Sequence, residues 1–589
     1  MVNGKYRNVN SYLPLTTYHL ELMNEDFRKT APAPLAPIAF NISQPFETVL
    51  ANGLKIVVFE DRRFPLVSFR LAFSVGNSND SNDEISLTSA TVSMLNEGTL
   101  NHTSKELAEE IELLGAHLSA SSGADNTIVA GSALSFYTAD ILNLMAEIVL
   151  QPTFPESELN LFKQNTIENL KYQRSQASFL ADEQTSRIIF GEHPYHRTSP
   201  KVADVESLSR EKLMAKHAKN FIPNIATMII VGDFEREEIL RQIEEKFGGW
   251  QKGSFVETEF PAPPERSETT LTIVDRKGSA QSNIVLANMA IKRNSPDYFA
   301  VLMMNQILGA GASSRLFMNL REEKGYTYGA YSSFDTRRLA GAFEATSEVR
   351  SAVTGDSLKE FFYELNRIRD EKVSEQELED AKNFLTGVFP IRAETQEGLT
   401  NLIVSQKLHN LPDDYLQTYR DKINEITIED VERVAKKYVT PEKMAIVIVG
   451  DAEEILPQAR DYAATIEIFD TENNAQEITN YGKTMEAPTT DMTGNWDLKI
   501  DFQGQQILVK LSVEQTDGTF SGSLETMFGN GKIENGKVSG NNFSAAATTE
   551  MQGQSLELAI SGTLENDSLK GTLNAPMIPL PLEFSGRRS

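Results

Sequence analysis

The sequence predicts two homologous α+β domains that face each other, followed by a small all-β barrel or sandwich. Three observations carry that expectation. First, the chain repeats itself: Phe221-Ile222-Pro223 and Ala226-Thr227-Met228-Ile229-Ile230-Val231-Gly232-Asp233 return as Tyr438-Val439-Thr440-Pro441 and Ala445-Ile446-Val447-Ile448-Val449-Gly450-Asp451, with Pro223 and Pro441 standing 218 residues apart, as do Gly232 and Gly450. That period is too long for a solenoid and fits a duplicated domain. Second, each copy mixes hairpin-like strands with long helical periodicities, which is an α+β layering and not a doubly wound parallel sheet. Third, after Thr471 the chain changes to short alternating strands punctuated by glycine and asparagine, with turn signals at roughly ten-residue spacing.

The elements follow in order. Residues 1–44 form an N-terminal arm ending in Ala31-Pro32-Ala33-Pro34-Leu35-Ala36-Pro37, where proline enforces an extended backbone. The first domain spans 45–252. Asn52-Gly53 signals a turn before a strand over 54–59, and Pro65 precedes another over 66–73. Helical spacing of Ile85, Val92 and Leu95 covers 84–95, and Asn101-His102-Thr103-Ser104 caps a helix over 105–114 that Gly115 ends. Further helices cover 155–172 and 209–221. The stretch 253–267, with Pro261, Pro263 and Pro264, links to a second domain over 268–470, whose Thr427-Ile428-Glu429-Asp430 resembles a capping box. A polar linker over 471–490 leads to the β-rich domain over 491–589. Its composition resembles small lipocalin-like barrels, and its sole tryptophan, Trp496, reads as a core residue.

Composition narrows the function. With 56 Lys and Arg against 83 Asp and Glu, the net charge of −27 repels phosphate backbones and anionic membranes and attracts basic peptides. Nucleic acid is therefore not an expected partner. There is no cysteine, which excludes disulfides, thiolate metal sites and a cysteine nucleophile. No stretch reaches the roughly 18 apolar residues of a transmembrane segment. Met1-Val2-Asn3-Gly4-Lys5-Tyr6-Arg7 lacks the apolar core of a secretory signal, so the expected location is the bacterial periplasm or cell envelope if a leader has been removed, and otherwise the cytoplasm. The Asn/Thr/Gly-rich end of the chain favours the former.

The second domain carries Asn305-Gln306-Ile307-Leu308-Gly309, then Ser313-Ser314-Arg315-Leu316, then Leu320-Arg321-Glu322-Glu323-Lys324-Gly325-Tyr326-Thr327-Tyr328. The first carries Asn96-Glu97-Gly98-Thr99, Gln151-Pro152-Thr153-Phe154 and His193-Pro194-Tyr195. Over about residues 45–470 these strings resemble the pitrilysin/insulinase (M16) peptidase family, which includes the mitochondrial processing peptidase and the bc1 core subunits. The resemblance implies paired homologous halves around a peptide chamber. Active members carry H-x-x-E-H on a helix: two histidines four apart share a face and hold zinc, and the glutamate activates the bound water. Counted back from Gly98-Thr99, those positions fall on Ser89-Ala90-Thr91-Val92-Ser93, and the family's distal glutamate falls near Glu168 or Asn169. Both ligand histidines are serines and the catalytic glutamate is a valine. No metal is expected on this chain.

Among the seven histidines no two are four apart, and His193-Pro194-Tyr195-His196, with its proline, reads as a turn. The glycine-rich Leu308–Ser314 stretch lacks a P-loop lysine and reads as a turn before a helix. Arg321 and Tyr328 match the family's second-half arginine and tyrosine seven residues apart, which the resemblance casts as substrate-binding and catalytic groups supporting the oxyanion. The competing reading pairs Arg321 with Glu322 or Glu323 and packs Tyr328 into a strand. A missing zinc site beside a retained arginine and tyrosine resembles one chain of the family's heterodimeric members. The expected function is a non-zinc-binding subunit that is inactive alone, with peptide as substrate and an H-x-x-E-H chain, carrying the zinc, as partner. The alternative is a non-enzymatic scaffold or peptide-binding protein of the bc1-core type. A peptidase active by itself would need a metal site the sequence does not show.

Overall fold

The computed structural model describes residues 41–481 and then 491–502, 505–516, 518–526, 529–539, 541–551, 554–565, 567–574 and 581–589. The proline-rich run 31–37, His19 and residues 482–490 lie outside the described residues.

The first half builds a six-stranded sheet in the order Phe46–Val49, Lys55–Glu60, Ala226–Gly232, Leu66–Phe73, Thr127–Leu134, His117–Ser122. The second builds a seven-stranded sheet in the order Ala475–Gln476, Thr465–Asp470, Thr270–Asp275, Ala445–Gly450, Gln281–Met289, Gly341–Arg350, Thr327–Thr336. The repeated apolar strings are interior strands of the two sheets. Ala445–Gly450 is buried along its whole length, which explains an uninterrupted apolar run in place of alternation. Thr103 caps the helix Ser104–Leu113 in a reciprocal box with Glu106, and Thr427 caps Ile428–Tyr438 with Asp430.

The halves are joined by an exchange of helices. Ala177–Phe190, from the first half, packs on Gln281–Met289 and Ala445–Gly450 of the second sheet. Leu180, Ala181, Ile189 and Phe190 share one buried cluster there with Val285, Val447 and Val449. Its counterpart Gln396–Leu408 packs on Leu66–Phe73 and Ala226–Gly232 of the first sheet. Gln396 donates from Nε2 to the carbonyls of Asp61 (3.0 Å) and Phe64 (2.9 Å). A second tie lies where the sheets' hairpins meet: the Tyr195 hydroxyl donates to Asp125, whose other oxygen accepts from the Arg338 amide at 3.0 Å, and the Leu339 amide donates to the Tyr195 oxygen at 3.2 Å. Shared cores therefore lock the two halves together.

The β-rich end is a closed barrel of eight strands, from Gly494–Phe502 to Leu582–Arg588, each antiparallel to its sequence neighbour and the last paired with the first. Closure leaves no free edge and decides between barrel and sandwich. Leu498, Leu511, Phe520, Phe543 and Phe584 fill it together with Trp496, whose Nε1 donates to the Met492 carbonyl at 2.9 Å. No helix among the described residues is long and apolar enough to cross a membrane.

Candidate functional site

The segment that would carry zinc is a helix, Leu87–Ser93, shorter than the sequence periodicity implies and continued by a 3-10 turn over Met94–Glu97. Buried Asp80 fixes its first turn, accepting from the Thr88 amide (3.0 Å) and hydroxyl (2.6 Å) and pairing with buried Lys216 at 2.5 Å. Ser89 is half-buried and Ser93 exposed, whereas Val92 is 1% exposed and belongs to the first-half core. Hydroxyls and a buried isopropyl group do not fit zinc. Glu168 lies exposed on the helix Glu156–Arg174 and pairs with Lys171 at 2.6 Å, and neighbouring Asn169 is exposed as well. Among the described residues no three His, Asp or Glu side chains are grouped to hold a metal ion.

Five of the described histidines, His102, His117, His193, His196 and His217, have hydrogen-bond partners, whereas the buried Nδ1 of His409 has none among the described residues. His193 is 3% exposed, accepts from the Tyr195 amide at 3.2 Å, and burial pushes its pKa down to about 4. Pro194–His196 forms the expected turn. His217 Nε2 bonds the Val149 carbonyl, and His102 is held between Glu147 and Glu110, whose charges raise its pKa.

In the second half the motif strings divide into structural and exposed groups. Gly309 lets the helix Tyr298–Leu308 end against the outer strand, where its carbonyl accepts from the Ser332 amide at 2.9 Å. A Cβ there would lie 2.3 Å from that nitrogen, so the glycine is a close-approach residue and not part of a phosphate loop. Arg315 is a structural arginine, bidentate to Glu377 at 2.7 and 3.1 Å. Arg321 has no such bidentate partner. It lies on a π-helical turn, Met318–Glu323, makes the long, exposed ion pair with Glu322 (3.7 Å) that the competing reading names, and sets its guanidinium carbon 5.3 Å from the centre of the Tyr328 ring. Tyr328 is 86% exposed, so it does not pack into the strand. The structure thus brings Arg321, on the turn, beside Tyr328, on the edge strand Thr327–Thr336.

A polar cavity of about 640 Å³ opens between the halves, lined by Ser89, Asp125, Tyr195 and Arg197 on one side and Asp335, Arg337 and His409 on the other. Arg321 and Tyr328 are not among its lining residues. Asp335 stands seven positions after Tyr328 on the strand, roughly 23 Å at strand rise. Among the described residues no hydrogen bond or ion pair joins either side chain to the first half.

The sequence did not reveal the β-bulge beneath Tyr328. Ala330 pairs with Ser347 and Thr327 with Val349, so Tyr328 and Gly329 together oppose the single residue Glu348. The string Tyr326-Thr327-Tyr328-Gly329 contains its only sequence signal, a glycine inside a strand.

A duplicated α+β unit with exchanged helices, whose helix Leu87–Ser93 carries Ser89, Val92 and Ser93 at the positions where the resemblance places metal ligands, is the fold of the peptidase family the sequence resembles. The comparisons agree. The insulinase (peptidase family M16) model matches residues 56–199, and the peptidase M16 inactive-domain model matches 207–385. The chain belongs to the M16 family. A non-peptidase homolog of Helicobacter pylori is 21% identical over 68% of this chain and 94% of its own length. An uncharacterised zinc protease of Mycobacterium leprae is 21% identical over 68% and 91%. Among solved structures, a peptidase M16 inactive domain from Pseudomonas fluorescens superposes with a TM-score of 0.65 at 28% identity, covering 69% of this chain and 98% of that one.

Proposed function

We propose that this chain is the non-zinc-binding subunit of a heteromeric M16 metallopeptidase. It supplies Arg321 and Tyr328 to peptides cleaved at the zinc of an H-x-x-E-H partner chain. One observation carries the reading: Arg321 stacks on a tyrosine that is 86% exposed, at the end of the strand remote from the chain's own cavity. A fixed cation and a phenol hydroxyl are suited to a developing oxyanion. Among the described residues no metal-holding group lies within the pair's own chain, and a second chain would provide one. The partner would also bury the tyrosine, whose exposure is otherwise a cost.

The test is co-purification from the native organism, identification of any H-x-x-E-H chain, and reconstitution with quenched fluorescent peptides. Activity that appears only on mixing, and falls with Arg321→Ala, supports the reading. Full activity of the partner alone sinks it. A second reading, a peptide-binding scaffold without catalysis, rests on the absence of a metal-ligand set among the described residues. It predicts peptide binding with no cleavage in any reconstituted complex.

A further inference from the structure

In a regular strand, residues three apart point to opposite faces. Tyr328 and Tyr331 do not: both are exposed, at 86% and 45%, while Thr327, Ala330 and Ser332 are buried. The extra residue of the bulge accounts for this by reversing the alternation between them. The bulge breaks the ladder, and one hydroxyl closes the gap. Thr327 Oγ1 accepts from the Gly329 amide at 3.1 Å and donates to the Glu348 carbonyl at 2.6 Å. Ser347 Oγ donates to the Gly329 carbonyl at 2.9 Å. Backbone groups that the bulge would leave unpaired are therefore satisfied in this one conformation.

Glycine at the second bulge position leaves room for the Tyr331 ring. A Cβ on Gly329 would stand 2.6 Å from the Tyr331 ring, which leans over it. The same ring is in contact with Phe317, 5.8 Å away between centroids, on the segment that leads into Arg321. Arg321 lies against Tyr328, and the bulge turns Tyr331 to the same exposed side of the strand: a guanidinium and two phenols.

We infer that Tyr331 is a third peptide-binding residue of this site and that Thr327 is its positioning residue, setting through the bulge the angle at which both tyrosines meet an extended peptide. The inference rests on the proposed substrate-binding role of Arg321 and Tyr328. Two phenol rings at that spacing suit a peptide with apolar or aromatic side chains, whose amide groups hydrogen-bond to the hydroxyls.

The experiment measures fluorescence anisotropy of the full chain with a fluorescein-labelled, unstructured decapeptide containing two aromatic residues. Arg321→Ala, Tyr328→Ala, Tyr331→Ala, Thr327→Val and Thr327→Ser are compared. The expected result is a Kd raised about tenfold for Tyr331→Ala and Thr327→Val and restored to within about twofold by Thr327→Ser, which keeps the hydroxyl. A fold defect in Thr327→Val would appear as a lowered unfolding midpoint, and Gly329→Ala, which displaces the Tyr331 ring, then stands in for it. If Arg321→Ala and Tyr328→Ala weaken binding but Tyr331→Ala does not, the third contact is wrong and the proposed function stands. If none of the three matters, both fall.

Discussion

Arg70, buried on a first-half strand, pairs at 2.8 Å with Glu397, which opens a second-half helix. The same guanidinium bonds Asn401, one helical turn on, and turns back to the Phe69 carbonyl. This buried cation is satisfied only because the helix Gln396–Leu408 lies on the sheet of the other half. Next to Glu397, Gln396 carries the same dependence: its side-chain amide donates to the Asp61 carbonyl.

Gln396→Leu is therefore expected to destabilise the whole two-half body and not one half. The Asp61 carbonyl loses its donor, while the Phe64 carbonyl keeps the Leu66 amide, so the cost is that of one orphaned buried acceptor, about 1–3 kcal/mol. Urea unfolding followed separately by first-half and second-half probes checks it. Both transitions should shift together, and a shift confined to one half would contradict the exchange.

The pair of Arg315 and Glu377 gives a pH signature. The Glu377 carboxyl is held down to about 2, against the desolvation that opposes it, by hydrogen bonds from Arg315 and from Ser374 at the helix N-terminus. A depressed carboxylate contributes stability above its unfolded pKa, near 4.3, and loses it as pH falls toward 2. Glu377→Gln should flatten the stability profile between about pH 4.5 and 2 relative to the parent chain. Arg315→Met should cost roughly 2–3 kcal/mol, less than a fully buried pair because Glu377 reaches solvent.

Particular residues show which parts of the fold were legible in the sequence. The strands over 54–59 and 66–73, the Thr103 and Thr427 caps and the barrel's turn spacing follow from local chemistry, and the structure has them, the first strand as Lys55–Glu60. The 218-residue repeat gave the two halves, because duplicated strands keep their apolar strings. The helix exchange was not legible. Leu180 and Ile189 look alike whichever sheet they cover, and periodicity reports that a face is buried without naming its partner. The resemblance identified Arg321 and Tyr328 as a pair, but the bulge that aims Tyr328 depends on a threonine hydroxyl bridging two backbone groups, which no spacing encodes.

Glu344 titrates in the opposite sense. It lies on the face of Gly341–Arg350 that Ala342 presents to the exchanged helix Ala177–Phe190. Burial, then the nearby Asp182 and Asp335 charges, push its carboxyl up to about 7, only partly offset by Arg337. A raised folded pKa contributes stability below the unfolded value near 4.3, and that contribution is lost as pH rises through about 7. Glu344→Gln removes the group's titration. The variant should gain stability over the parent at pH 8 but not at pH 4, and a parallel offset at both would refute the assignment.

The last prediction separates a subunit's role from an independent peptidase's. Purified alone, the chain should hold well under one zinc per molecule by metal analysis, since Ser89, Val92 and Ser93 offer no ligand set. Stoichiometric zinc would overturn the subunit reading. In a reconstituted complex, Tyr328→Phe removes one donor to the oxyanion and should lower kcat by about 10²–10³-fold, or about 3–4 kcal/mol, with little effect on KM. Arg321→Ala removes both the cation and the support under the ring, so it should raise KM as well as lower kcat. If the two variants instead raise KM alone, the pair holds the peptide without touching the transition state, and catalysis belongs entirely to the partner.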